Sequence, residues 1–164
     1  MAEKQKTLED LFLDTLKDIY HAEKQTLRAL GKMTKSAQSD ELKQLFQQHR
    51  DETEGQIERL DKVFELLGKR PQGKPCEAMQ GLVEEGKEIM DEFKGSPALD
   101  AGLISSAQAV EHYEIARYGT LRSWAQQLGM NDAAKLFEET LAEEKRTDEL
   151  LNKAGISMIN KKAA

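Results

Sequence analysis

The chain has one cysteine, Cys76, among 164 residues. That leaves no internal disulfide and no thiolate cage for zinc or an iron–sulfur cluster. Its three prolines, Pro71, Pro75 and Pro97, fall in one window, so nothing forbids long helices before Pro71 or after Pro97. Valine occurs 3 times against 20 leucines, and a shortage of β-branched residues disfavours a sheet protein. No apolar run approaches the roughly 18–20 residues of a membrane span, and the polar stretch Met1 to Lys6 offers no signal-peptide core. These absences predict a reduced, cytoplasmic domain without a membrane partner. G-x-S-x-G and a glycine-rich phosphate loop are missing too, which argues against hydrolase and nucleotide-binding readings.

What is present is charge and leucine. Charged residues make up 33 % and hydrophobic residues 38 % of the chain; 24 Lys and Arg against 30 Asp and Glu give a net charge of −6. The apolar content suffices for a core, and the acidic balance makes nucleic acid an unexpected partner.

Apolar stripes at helical spacing organise the sequence. A first helix is predicted from Thr7, a suitable cap, to Lys35, along Leu8, Phe12, Leu16, Ile19, Leu27 and Leu30. A second, along Leu42, Leu45, Phe46, Leu60, Val63 and Leu67, ends near Gly68. A shorter helix is expected over Glu77 to Phe93. Ser96 as cap with Pro97 at the first helical position then opens a third long helix to Leu128, Gly129 stops it, and Asn131 is expected to cap a fourth along Ala134, Phe137, Leu141 and Leu151. The expected fold is all-α: a four-helix bundle of two antiparallel hairpins joined by a long crossover that carries a short extra helix. Residues 1–155 form the single bundle domain, and residues 156–164 are expected as a flexible tail.

The stripes fail at one place in every long helix. Glu23 sits midway between Ile19 and Leu27. The second stripe passes through His49, Glu52, Thr53 and Gln56. Glu111, Glu114 and Tyr118 share a face of the third helix, and Glu144 and Asp148 lie between Leu141 and Leu151 on the fourth. Counted from turn centres near Ala37 and Met130, Glu23, Glu52, Glu114 and Glu144 lie 14, 15, 16 and 14 residues away, and Glu111 and Asp148 lie 19 and 18 away. At ~1.5 Å per residue the mismatches are about 1.5–3 Å. Six carboxylates are therefore expected in one layer of the core. Such a layer needs protonation, cationic partners or metal ions, because an unpaired buried ion costs several kcal/mol. Arg117 and Arg146 lie near this level, off the inward rows. Oxygen-rich ligands with sparse imidazole suit iron or manganese better than zinc or copper. His49 reads as a nitrogen ligand or as the hydrogen-bond partner of a core carboxylate. His112, His21 and Cys76 read as surface, exposed and incidental residues, with Tyr20, Tyr113 and Tyr118 around the layer.

The segments AEKQ (Ala22–Gln25), HxxETxxQIERLD (His49–Asp61), VEHYE (Val110–Glu114) and EEKRTDELL (Glu143–Leu151) resemble the YciF/YciE family of ferritin-like, rubrerythrin-related stress proteins. The resemblance implies a ferritin-like bundle, a homodimer and a di-metal site of two ions, iron or else manganese. Glu23, Glu52, Glu111, Glu114 and Glu144 match its carboxylates. Two departures stand out. Gly55 and Thr147 occupy the positions where E-x-x-H motifs would place histidine, and His49 and Asp148 are the candidate replacements. The resemblance implies ferroxidase or peroxide-linked redox activity. The alternative is a non-enzymatic structural or interaction protein that keeps the bundle with a polar core layer.

Overall fold

The computed structural model describes residues 3–164, and among them every regular element is helical. The elements are α1 (Leu8–Ser36), α2 (Asp40–Leu66), α3 (Glu77–Glu92), α4 (Leu99–Gln127), α5 (Asn131–Ala154), a π-helical turn (Gly155–Ile159) and α6 (Asn160–Ala163). Thr7 caps α1 in a reciprocal box: its hydroxyl accepts from the Asp10 N–H, and the Asp10 carboxylate accepts from the Thr7 N–H. Ser39 caps α2 through the Leu42 N–H. After α2 and α4 the chain exits through Gly68 and Gly129 at φ +66° and +73°, a conformation that carries no steric penalty only for glycine.

Two caps differ from expectation. Ser96 does not cap α4; its hydroxyl accepts from the Ala98 N–H, and the helix starts at Leu99 with no side-chain cap. Met130, not Asn131, precedes α5. The terminal segment also differs. Rather than leaving the bundle at Gly155, the chain stays helical through the π turn, and Ile159 is buried with Leu151, Ala154 and Ile104.

Two apolar clusters fix the directions of the helices. One joins Phe12 and Leu16 of α1, Leu60 and Phe64 of α2, Tyr118 and Leu121 of α4, and Phe137 of α5. The other joins Leu30 and Met33, Leu42 and Phe46, Leu99 and Leu103, and Leu151 of the same helices. The start of α1 thus meets the ends of α2 and α4 and the start of α5. Consequently α1 runs antiparallel to α2 and α4, and α5 antiparallel to α4. The connection through α3 returns the chain to the opposite end of the bundle before α4 begins. On the way α3 packs on α1 and α4, closest to α4, where a Cβ on Gly102 would lie 2.7 Å from Ile89 Cγ2.

Between the two clusters all four long helices turn polar side chains inward. Glu23, Thr26, His49, Thr53, Gln56, Glu111, Glu114, Thr140 and Glu144 are all buried. The bundle is therefore apolar above and below one polar layer.

Candidate metal centre

The layer is assembled from one residue pattern used four times. Each helix replaces a stripe leucine or phenylalanine with a carboxylate or imidazole, so folding the apolar clusters drags these groups into the core. His49, Glu111, Glu114 and Glu144 present ligand atoms that all lie within 4.8 Å of one another. His49 is 2 % exposed and the three carboxylates are fully buried. His49 Nε2 approaches Glu111 Oε1 to 2.5 Å, yet neither atom has a partner in hydrogen-bonding geometry.

Glu23 adjoins this group and is equally buried. Its Oε1 accepts from the Tyr118 hydroxyl, while Oε2 has no partner. Thr26, one turn further along α1, donates to Glu114 Oε1 at 3.0 Å. Its place three residues after Glu23 on the inward face was the available sequence signal for this contact.

Glu52 and Asp148 stand apart from the four-residue group. Glu52 accepts from Arg146 at 2.6 Å, Gln48 at 3.2 Å and Thr147 at 3.3 Å. Arg146 leaves the inward row, as its position suggests, but its long side chain returns to the layer's edge. Asp148 faces Gln108 at 3.3 Å and His112 at 3.1 Å. Residue counts along a helix set height in the bundle and not side-chain direction, so Glu52 and Asp148 share the layer's height without joining its centre.

Two residues read as peripheral turn out to be engaged. His21 is half-buried, and its Nδ1 accepts from the Cys76 backbone N–H at 3.1 Å. Cys76 is buried at the start of α3, where Sγ accepts from the Met79 N–H. The same sulfur lies 3.2 Å from the Tyr113 hydroxyl, which donates to Asp18. These contacts fasten the crossover to α1 and α4. None involves the layer.

The electrostatics follow from burial. Desolvation, then the neighbouring Glu114, pushes the Glu23 carboxyl well above the usual range despite the Tyr118 hydrogen bond. Burial with the charges of Glu114 and Glu111 does the same to Glu144. Burial and Glu111 raise Glu114 to about 7. For His49, burial opposes the charged ring, but Glu111 outweighs it and the imidazole ends above its ordinary value. Glu143 is the contrast: burial pushes it up, but Arg59 and Gln56 hold it below the usual range.

Eight side-chain atoms on Glu23, His49, Glu111, Glu114 and Glu144 are buried without a hydrogen-bond partner. Buried polar atoms are ordinarily satisfied, and so dense a set of orphans, six carboxylate oxygens and the two nitrogens of His49, has the donor chemistry of a hard or borderline cation. The four carboxylates would carry a charge matched by two divalent ions. The residues present therefore fit a bound metal ion.

Comparison with known proteins agrees with the arrangement of helices. Residues 7–164 match the family model described as a domain of unknown function, DUF892. Protein YciF of Escherichia coli K12 is 49 % identical over 162 residues, 96 % of each chain. The crystal structure of the E. coli stress protein YciF superposes with a TM-score of 0.90 at 47 % identity, over 96 % of this chain and 99 % of that one. YcfI of Rhodopseudomonas palustris, described provisionally as a structural protein, gives 0.87 at 46 % identity over 93 % and 97 %. A Xanthomonas campestris protein, 24 % identical over 94 % of each chain, shares the fold at 0.73. With the family model spanning all but the first few residues and about half of them identical to YciF, the chain belongs to the YciF family.

Proposed function

We propose that this protein is a ferritin-like di-metal protein of the stress response, holding two ions, iron or else manganese, between its four long helices. The observation that carries the reading is the set of orphaned ligand atoms on Glu23, His49, Glu111, Glu114 and Glu144 between two apolar clusters. These five residues would hold the pair, and Glu52 would join them by exchanging Arg146 for metal. Asp148 would steady the α4 side through His112 and Gln108. When bound, such a pair supplies electrons for ferroxidase or peroxide-linked redox chemistry.

The chain's own residues prepare the site. Tyr118 and Thr26 orient Glu23 and Glu114 by hydrogen bonds from their hydroxyls. The apolar clusters above and below keep water out, which strengthens every electrostatic interaction inside. Because Glu114, Glu23 and Glu144 hold protons to unusually high pH, metal entry releases protons. A homodimer in the cytoplasm is the assembly proposed, in keeping with the exposed Leu11, Leu66, Phe93, Ile156 and Met158.

The second reading is a structural protein that keeps a metal-free polar layer. It is favoured by the Arg146–Glu52 pair, by Gly55 and Thr147 at the E-x-x-H positions, and by the description of the R. palustris relative. Elemental analysis of protein grown with iron and never exposed to chelator separates the two. The metal reading expects stoichiometric metal, abolished by Glu23→Leu with Glu144→Leu. The same double change should raise the melting temperature of the metal-free form, since it removes desolvated, mutually repelling carboxylates. Wild-type protein without stoichiometric metal under any loading condition would leave the structural reading.

A further inference from the structure

After Glu23, α1 carries no acidic residue; Lys24, Arg28, Lys32 and Lys35 follow instead. In a chain of net charge −6 this is a segregated positive stripe. Arg28, Lys32 and Lys35 line one side of a trough between α1 and α3, and Lys87 and Lys94 line the other. Lys87 lies 3.9 Å from Glu84. Among the described residues the other four cations form no ion pair. Arg28 and Lys32, one turn apart, repel each other. The helix dipole rewards cations only within the last turn, which accounts for Lys35 alone.

The trough is two adjoining cavities that share Lys32, Lys87 and Met90. The first, about 260 Å³, lies between α1, α3 and α4, over a floor that includes Ala29, Met33, Val83, Met90 and Val110. The second, about 520 Å³, gathers Lys32, Lys35, Lys87 and Lys94, with Asp91 the one acid on its wall. The opening exists because α3 leans on α4, with Gly86 against Ser106 and Gly102 against Ile89.

We propose that this trough binds an amphipathic anion with a single acyl tail, a carboxylate of fatty-acid type. The tail occupies the apolar cavity and the head group sits among Lys32, Lys35, Lys87 and Lys94. Size excludes a docked helix, which is about 10–12 Å across, whereas these volumes belong to small-molecule sites of roughly 300–1,000 Å³. A bare anion would leave the apolar floor unused, and exposed lysines alone bind it weakly. Affinity therefore needs both parts: the tail fills the apolar cavity and the carboxylate head pairs with the lysines.

Isothermal titration of the full chain with octanoate, decanoate and dodecanoate, below their micelle-forming concentrations, tests the proposal. One saturable site per chain is expected, tightening about fourfold per added methylene until the cavity is full. Dodecanol and inorganic phosphate should each bind at least tenfold more weakly than dodecanoate. Ala29→Phe, which fills the floor, and Lys32→Glu with Lys87→Glu should each weaken dodecanoate at least tenfold. Should a variant fail to fold, a photoreactive dodecanoate on the wild-type chain must label peptides bearing Met33 or Met90. Absence of saturable binding, equal affinity for dodecanol, or labelling elsewhere would overturn the proposal. So would binding to phosphatidylglycerol vesicles without binding of the free carboxylates.

Discussion

Glu143 and Glu144 share a peptide bond, yet one faces Arg59 and Gln56 while the other enters a layer of carboxylates beside His49, with no lysine or arginine paired to it among the described residues. Sequence could find Glu144 because it interrupts an apolar stripe. That logic also found Glu23, His49, Glu111 and Glu114, all of which are buried. It could not see that Arg146 is long enough to reach Glu52 from an outward row, nor that Asp148 turns toward His112. Those depend on side-chain torsions, which no stripe encodes. One contact at this scale is open to a clean test. Tyr118→Phe removes the only side-chain hydrogen bond to Glu23 among the described residues and leaves a fully buried carboxyl oxygen unpartnered. The metal-free protein should lose about 1–3 kcal/mol in denaturant unfolding. An unchanged midpoint would mean that the hydroxyl contributes nothing to the layer.

Helices were legible because their stripes are long and their turns carry Thr7, Ser39, Gly68 and Gly129. The length of the crossover favoured its return to the other end of the bundle, but sequence order alone did not exclude a simple up-down-up-down arrangement. The helical course of the C-terminal segment was not legible, because glycine after a stripe resembles a stop. Gly155 keeps helical torsions, φ −60° and ψ −51°, so the π turn can carry Ile159 into the core. Glycines elsewhere divide by what a methyl group would meet. Gly102→Ala places Cβ against the branched Ile89 side chain at 2.7 Å, and the clash should outweigh the gain in helix propensity. At Gly119, inside the same helix with nothing within 4 Å, the substitution should stabilise by about 0.5–1 kcal/mol. Thermal melts of the two variants should move in opposite directions. A stabilised Gly102→Ala protein would show that α3 does not pack tightly on α4.

At the scale of the whole molecule, the polar layer makes stability depend on pH with a definite sign. The folded-state pKa values of Glu114, Glu23, Glu144 and His49 are all raised. A raised group contributes stability below its unfolded value, which is lost as pH rises through the folded value. For Glu114 that window runs from 4.5 to about 7, and Glu23 and Glu144 extend it upward. Glu143, lowered, acts oppositely, losing its contribution as pH falls below the carboxylate range. Metal-free protein should therefore be most stable near about pH 5 and should melt at progressively lower temperature toward pH 8. A melting temperature that climbs between these values would show that the carboxylates are paired in some other way.

The central claim is that these buried carboxylates await cations. Its most direct measurement is an anaerobic titration of metal-free protein with ferrous iron at pH 7, followed by melting temperature and by heat of binding. A ligand selective for the folded state must raise the melting temperature. The account predicts a rise that saturates at two ions per chain and is lost in the Glu23→Leu, Glu144→Leu double variant. An unchanged melting temperature, with no heat of binding for iron or manganese, would contradict it.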